Sequence, residues 1–172
     1  MDKQEFFLLI PAIIYGVAMI DLLKIFQHKK NYWEVVSWGV LLFMVIINTW
    51  IELYQKLGSF VDNSLNFYLI IGQAIMFAQT AYVITPEEKD ADTKKYFFSI
   101  RKLFFLLLAG TTTVNIIIRY AVFDDERVAW LRPLVVVLLL ICAFRDNKWI
   151  RTIILVLTFI MALFVIFSDK LG

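Results

Sequence analysis

Glu52 lies near the end of the apolar stretch IINTWIELYQKLG, one helical turn beyond Asn48, and Arg119 closes a second apolar run that also holds Thr111, Thr112 and Asn115. Residues three, four and seven apart share a helix face. Asn48 and Glu52 therefore belong to one polar stripe. Thr111, Thr112, Asn115 and Arg119 belong to another, which begins at Arg101. Asn66, Gln73 and Thr80 recur at sevens, a narrow seam that faces a neighbour. On the first apolar run Ile14, Asp21 and His28 align.

An ionisable side chain near the middle of a bilayer costs at least about 2.5–3.5 kcal/mol unless it reaches water or a partner. Helical side chains lean towards their own N-terminus, so Glu52 and Asp21 both lean into the bilayer from the ends of their helices. Each needs a partner. Matching depth along the helices predicts that Glu52 pairs with Arg119, and that Asp21 pairs with Arg101 on the cytoplasmic side. Such pairs have two uses: they fix helix register, or they line a polar pathway. The pathway reading groups Asn48, Glu52, Gln73, Thr111, Thr112, Asn115 and Arg119 around one outward-opening cavity, within helices one to four or around an oligomer axis.

The residues for catalysis are missing. Hydrolysis or group transfer needs a nucleophile with a base, or a metal with several ligands. The only histidine, His28, lies beside lysines, and a histidine-based zinc site lacks its second imidazole. Glu87, Glu88, Asp90 and Asp92 read as a solvated acidic turn without EF-hand spacing. Cys142 has no second cysteine to pair with. No phosphate-binding glycine loop and no voltage-sensor arginine ladder is present. We expect no catalytic residue, metal or cofactor, and no enzyme activity.

The elements that position these residues are transmembrane helices. The 172-residue chain is 61% hydrophobic with a mean hydropathy of +0.76, against about 45–50% apolar content in soluble domains. Its 17 basic and 15 acidic residues nearly cancel, which gives no basic groove for nucleic acid. About 20 apolar residues cross a bilayer as a helix. Six spans follow, at roughly 6–26, 33–57, 65–85, 96–123, 128–144 and 149–168, in one transmembrane domain without a soluble part. Pro86 stops the third, and Pro133 suits the first turn of the fifth. The first run lacks a small-residue cleavage site and stays in the mature chain. The expected fold is all-α.

Eleven lysines and arginines flank the first, third and fifth connections, and six flank the other side. The positive-inside rule then puts those connections in the cytoplasm and both termini outside. The basic-aromatic starts KKNYW, KKYFF and DNKWI read as interfacial anchors on that side.

Along the second span Glu34, Leu41, Asn48, Glu52 and Gln55 share a sector, while Phe43, Ile46, Trp50, Leu53 and Leu57 form the opposite, lipid-like side. Glycines 16, 39, 72 and 110 fall one each in helices one to four, where small residues allow close approach. Helices five and six carry almost no polar side chains within the spans. The expectation is a tight four-helix unit, helices one to four, with an apolar hairpin of helices five and six. That hairpin packs outside it or meets a homo-oligomer or membrane partner.

The run IYGVAMIDLLKIFQHKKNYWEVVSWGVLLFMVIINTWIELY, followed by YVITPEEKDADTKKYFFSIRKLFF, resembles a widespread group of uncharacterised bacterial multi-pass membrane proteins. In that group an acidic residue closes helix one, a basic connection follows, tryptophans line helix two and a proline ends helix three. The resemblance covers about the first 105 residues and implies a bacterial cytoplasmic membrane, but no activity. Two functional classes follow from the residues. One is a channel or transporter-like protein for an ion or small solute. The other is a non-catalytic scaffold, sensor or effector subunit acting through a partner.

Overall fold

The computed structural model describes residues 3–28, 31–56, 63–88, 90–123 and 131–171, with side chains from Phe7 to Ile166. These residues form six α-helices: α1 Lys3–Lys24, α2 Trp33–Gln55, α3 Ser64–Ile84, α4 Thr93–Ala121, α5 Leu131–Phe144 and α6 Lys148–Leu171. A single 3₁₀ turn, Ile25–Gln27, extends α1. There is no strand among the described residues. Local chemistry sets several of the boundaries. Asn63 Oδ1 accepts from the backbone N–H of Leu65, Asp92 Oδ1 from Lys94 and Lys95, and Asn147 Oδ1 from Trp149 and Ile150. Each satisfies N–H groups that a helix start leaves without an intrahelical partner.

Five helices are long and apolar enough to cross a bilayer, which marks the chain as a membrane protein. The exception is α5. Its 14 residues rise about 21 Å at about 1.5 Å each, short of a hydrocarbon core about 30 Å thick. The expected start of this span at residue 128 lies outside the described residues.

The lateral arrangement corrects the expected division into a four-helix unit and an outlying hairpin. The central helix is α2, which packs against α1, α3, α4 and α6. Around it, α1 packs on α3, α3 on α4, α4 on α5 and α5 on α6. The last two helices therefore extend an arc around α2, from α1 through α3, α4 and α5 to α6, that stays open between α6 and α1. Centrality also explains why the expected lipid-like side of α2 is not one. Ile46 and Leu53 are 0% and 1% exposed, and Trp50 lies 6.4 Å from the Tyr15 ring of α1. The residues of α2 left exposed are Trp33, Ile47, Ile51, Tyr54 and Gln55. When a helix is surrounded, its apolar face meets protein instead of lipid.

Aromatic packing ties α2 to α4. Trp38 stands edge-on to Phe105 at 5.1 Å and contacts Phe104 at 6.1 Å, and all three are fully buried. Such pairs contribute about 0.5–1.5 kcal/mol each beyond burial. Two of the four glycines mark close approach: a Cβ on Gly39 would lie 2.8 Å from Ile25 Cδ1, and one on Gly110 would lie 3.0 Å from Met76 Cε. Gly16 and Gly72 have no neighbour within 4 Å of that position, so the small-residue argument fails for them. The rest of the lipid-facing surface is apolar, with Ile13, Val17 and Ile20 on α1 and Ile153, Ile160 and Phe164 on α6 exposed.

Candidate functional site

Each end of α2 carries a carboxylate, and each finds an arginine on another helix. At the end of α2, Arg119 Nη2 of α4 donates to Glu52 Oε1. Asn48 Nδ2 donates to the same oxygen at 2.7 Å, and Arg119 Nε donates to Asn115 Oδ1 at 3.3 Å. The two helices run parallel, so one side chain from each reaches the same depth. The i,i+4 partners Asn48 and Asn115 hold the carboxylate and the guanidinium from their own helices.

Arg119 forms part of the wall of a chamber of about 150 Å³. It lies between α2, α4, α5 and α6, because α4 and α6 approach α2 closely while α5 packs on α4 and α6 without reaching α2. Leu41, Val45, Leu108, Leu139, Met161 and Val165 are among its apolar walls. Its polar groups are Asn48, Thr49, Thr112, Asn115, Arg119, Arg132 and Thr158. Thr49, Thr112 and Thr158 donate to the carbonyls of Val45, Leu108 and Ile154, four residues back on their own helices. Arg119 and Arg132 are 5% and 8% exposed.

The chamber redraws the expected site. Asn48, Thr112, Asn115 and Arg119 line it, whereas Glu52 bonds to Arg119 without lining it. Gln73 and Thr111 lie elsewhere. Gln73 is buried on α3 with no hydrogen-bond partner for Nε2, and Thr111 Oγ1 lies 3.3 Å from Thr80 Oγ1 in the α3–α4 seam. The expected cavity within helices one to four is thus replaced by one that needs α5 and α6. Arg132 was legible as a charge opening a very apolar helix, but it reads as an interfacial residue until α5 is known to pack on α4 and α6.

Asp21 and Arg101 do not form the expected pair. Asp21 Oδ1 accepts from Lys24 Nζ at 2.5 Å, one turn along α1, while Arg101 Nη1 donates to Asp146 Oδ1. The reason is lateral: α1 packs on α2 and α3 and makes no contact with α4. The acidic turn also has structural partners, since Glu87 Oε1 accepts from Tyr82 Oη and Asp92 caps α4.

At the start of α2 lies a cluster that the sequence reading did not find. Arg151 of α6 donates from Nε to Glu34 Oε2 at 2.9 Å and from Nη2 to Glu34 Oε1 at 3.2 Å. Both side chains are 1% exposed. Tyr32 Oη donates to Glu34 Oε1 at 2.5 Å, and Arg151 Nη1 donates to Asp146 Oδ1 at 3.0 Å. The Arg151 guanidinium lies 5.1 Å from the centre of the Phe98 ring, a cation–π contact. Burial, then the hydrogen bond and charge of Glu34, push the Tyr32 hydroxyl up to about 12, with Arg151 pulling the other way. The signal was Glu34 on the polar stripe of α2, but Arg151 reads as a positive-inside charge until its burial is known.

No protein-family model, curated protein or solved structure matches the chain. The functional reading therefore rests on the geometry.

Proposed function

We propose that the chain is a small transporter-like protein of the cell membrane, which holds an ion or small solute in the chamber between α2, α4, α5 and α6. One observation carries this reading: two buried guanidiniums and two asparagine amides, with three threonines, meet in the wall of a chamber whose other lining residues are apolar. Charge at that depth is expensive, and a hairpin that only stabilised the fold could close the same space with aliphatic side chains.

Orientation follows from the basic residues. Setting aside the buried Arg119, Arg132 and Arg151 leaves ten lysines and arginines on the side of the first, third and fifth connections and four on the other. This supports cytoplasmic odd connections and outside termini. The Glu34 cluster then faces the cytoplasm, and Glu52, Arg119 and Arg132 lie towards the outside. The resemblance of the first 105 residues supports a bacterial cytoplasmic membrane. Trp38, Phe104 and Phe105 lie between the chamber and the cytoplasmic cluster, so passage would require α6 to part from α2 there.

Accessibility tests this reading. In a Cys142→Ser background, Thr112→Cys should react with a membrane-impermeant maleimide from the outer face of intact cells. In inside-out vesicles it should react more slowly but measurably. Modification from one face only would point to the alternative, a sensor or scaffold with a blind pocket. Modification from neither face overturns the reading.

A further inference from the structure

We infer that the chamber binds a neutral primary carboxamide with an apolar body of about six carbons, of the benzamide or hexanamide class. This rests on the chamber reading and adds the chemistry of the occupant.

Size sets the body. A dry cavity of about 150 Å³ lined by aliphatic and aromatic side chains accepts benzene, and this chamber has that volume and a mainly aliphatic wall. The two asparagines set the head, because the other polar groups of the wall are engaged. Thr49, Thr112 and Thr158 donate to backbone carbonyls, Arg119 donates to Glu52 and Asn115, and Arg132 has a partner of its own. Asn48 and Asn115 are half-buried, and each makes a single side-chain hydrogen bond among the described residues. The partner fixes which way each amide turns. An ionised carboxylate only accepts, so Asn48 gives Glu52 its nitrogen and keeps an acceptor oxygen. A guanidinium only donates, so Asn115 gives Arg119 its oxygen and keeps an N–H₂ to offer. One acceptor and one donor therefore remain in the same wall, on two helices joined by the Glu52–Arg119 pair. A primary carboxamide answers both, since its N–H₂ donates to Asn48 Oδ1 while its oxygen accepts from Asn115 Nδ2. A carboxylate would set an anionic acceptor against Asn48 Oδ1, and an ammonium has nothing that accepts from Asn115. A polar group left buried without its partner costs more than the bond itself is worth, so this wall selects by head group.

The test is binding to the purified full chain in a neutral maltoside detergent, read by calorimetry and by thermal shift, with three probes of one shape. Benzamide carries the donor and the acceptor, acetophenone has a methyl group in place of the N–H₂, and benzoate has a charged oxygen there. Benzamide should bind saturably and at least about tenfold tighter than either. Asn48→Leu should bring benzamide down to the affinity of acetophenone. Asn115→Asp, which keeps an oxygen for Arg119 but loses the N–H₂, should weaken both by about tenfold. Ala162→Phe, which fills the chamber from α6, should abolish saturable binding while the protein remains monodisperse, and it measures partition into the micelle. Equal affinity for benzamide and acetophenone overturns the inference, as does tighter binding of benzoate, or benzamide binding that survives Ala162→Phe. Native mass spectrometry provides a third arm. A phospholipid retained by the wild type, lost in Ala162→Phe and not displaced by benzamide, assigns the chamber to lipid and overturns the inference. If Thr112→Cys is modified from both faces but benzamide has no advantage over acetophenone, the carboxamide class fails and the transporter-like reading stands. If benzamide binds as expected but Thr112→Cys is modified from one face only, the chamber is a sensor's pocket: the inference stands and the transporter-like reading fails.

Discussion

The first and last turns of α2 each hold a glutamate bonded to an arginine of another helix, but the two sites are built differently. Glu34 accepts from Tyr32 and twice from Arg151, using both of its oxygens, and Arg151 spends its remaining nitrogen on Asp146. The Glu34 and Arg151 side chains are 1% exposed. Glu52 accepts from Arg119 and Asn48, and Arg119 also lines a chamber. Saturated and enclosed, the first pair fastens α6 to the central helix. The second pair places a cation in the wall of a cavity of about 150 Å³. Similar residue types on one helix thus separate into a fastener and a wall.

The largest effect should come from opening the fastener. Arg151→Ala leaves the Glu34 carboxylate buried without its cation, a change that costs about 3–5 kcal/mol. Unfolding of the purified protein in mixed micelles with increasing sodium dodecyl sulfate measures this. A loss below about 1 kcal/mol would mean that α6 is held by apolar packing alone. Glu52→Gln should be milder, about 1–3 kcal/mol, because the amide still accepts from Asn48 and Arg119. If Glu52→Gln destabilises as much as Arg151→Ala, both sites are fasteners and the contrast disappears.

Packing extends the comparison on a smaller scale. Gly72→Ala, in open space on α3, should stabilise by about 0.5–1 kcal/mol, the gain of Ala over Gly within a helix. Gly39→Ala should forfeit that gain, since Ile25 Cδ1 must swing away from a Cβ only 2.8 Å distant. Equal gains in thermal midpoint would show that the half of α2 near Glu34 is as loosely packed as the middle of α3.

The smallest effect is the titration of Tyr32. A tyrosine in the unfolded chain ionises near pH 10, but in the fold Tyr32 is held up to about 12 by burial and by Glu34. The folded state therefore keeps this proton longer. Its contribution to stability is whole below about pH 10 and is lost as pH rises through about 12. Phenolate absorbance of wild type against Tyr32→Phe should isolate one late-ionising tyrosine, and Glu34→Gln should bring its midpoint down.

Depth was legible in the sequence, and lateral order was not. Counting residues from helix ends on parallel spans puts Glu52 and Arg119 at one level, and α2 and α4 are neighbours. The same arithmetic puts Asp21 level with Arg101, yet α1 and α4 lie on opposite sides of α3. Helical periodicity fixes which side chains share a face but not which helix that face meets. The apolar residues of α2 show the same limit. Ile46 and Leu53 look like lipid-facing residues because burial in protein and burial in lipid leave one compositional trace. Arg151 and Arg132 were miscounted for a related reason: an arginine at a helix end reads as an anchor whether it snorkels or turns inward.

The length of the central helix sets the height of the protein. Glu34 and Glu52 are five full turns apart on one face, about 27 Å at about 1.5 Å per residue. That distance approaches the thickness of a hydrocarbon core. With both ends of α2 tied to neighbouring helices by charge, the protein holds a fixed apolar height that it cannot readily shorten by sliding one helix past another. It should act as a ruler for its bilayer. In a thicker membrane the surrounding lipids thin around it, and in a thinner one the whole bundle tilts, so acyl-chain length becomes a control on where this chain settles and how easily α6 leaves α2.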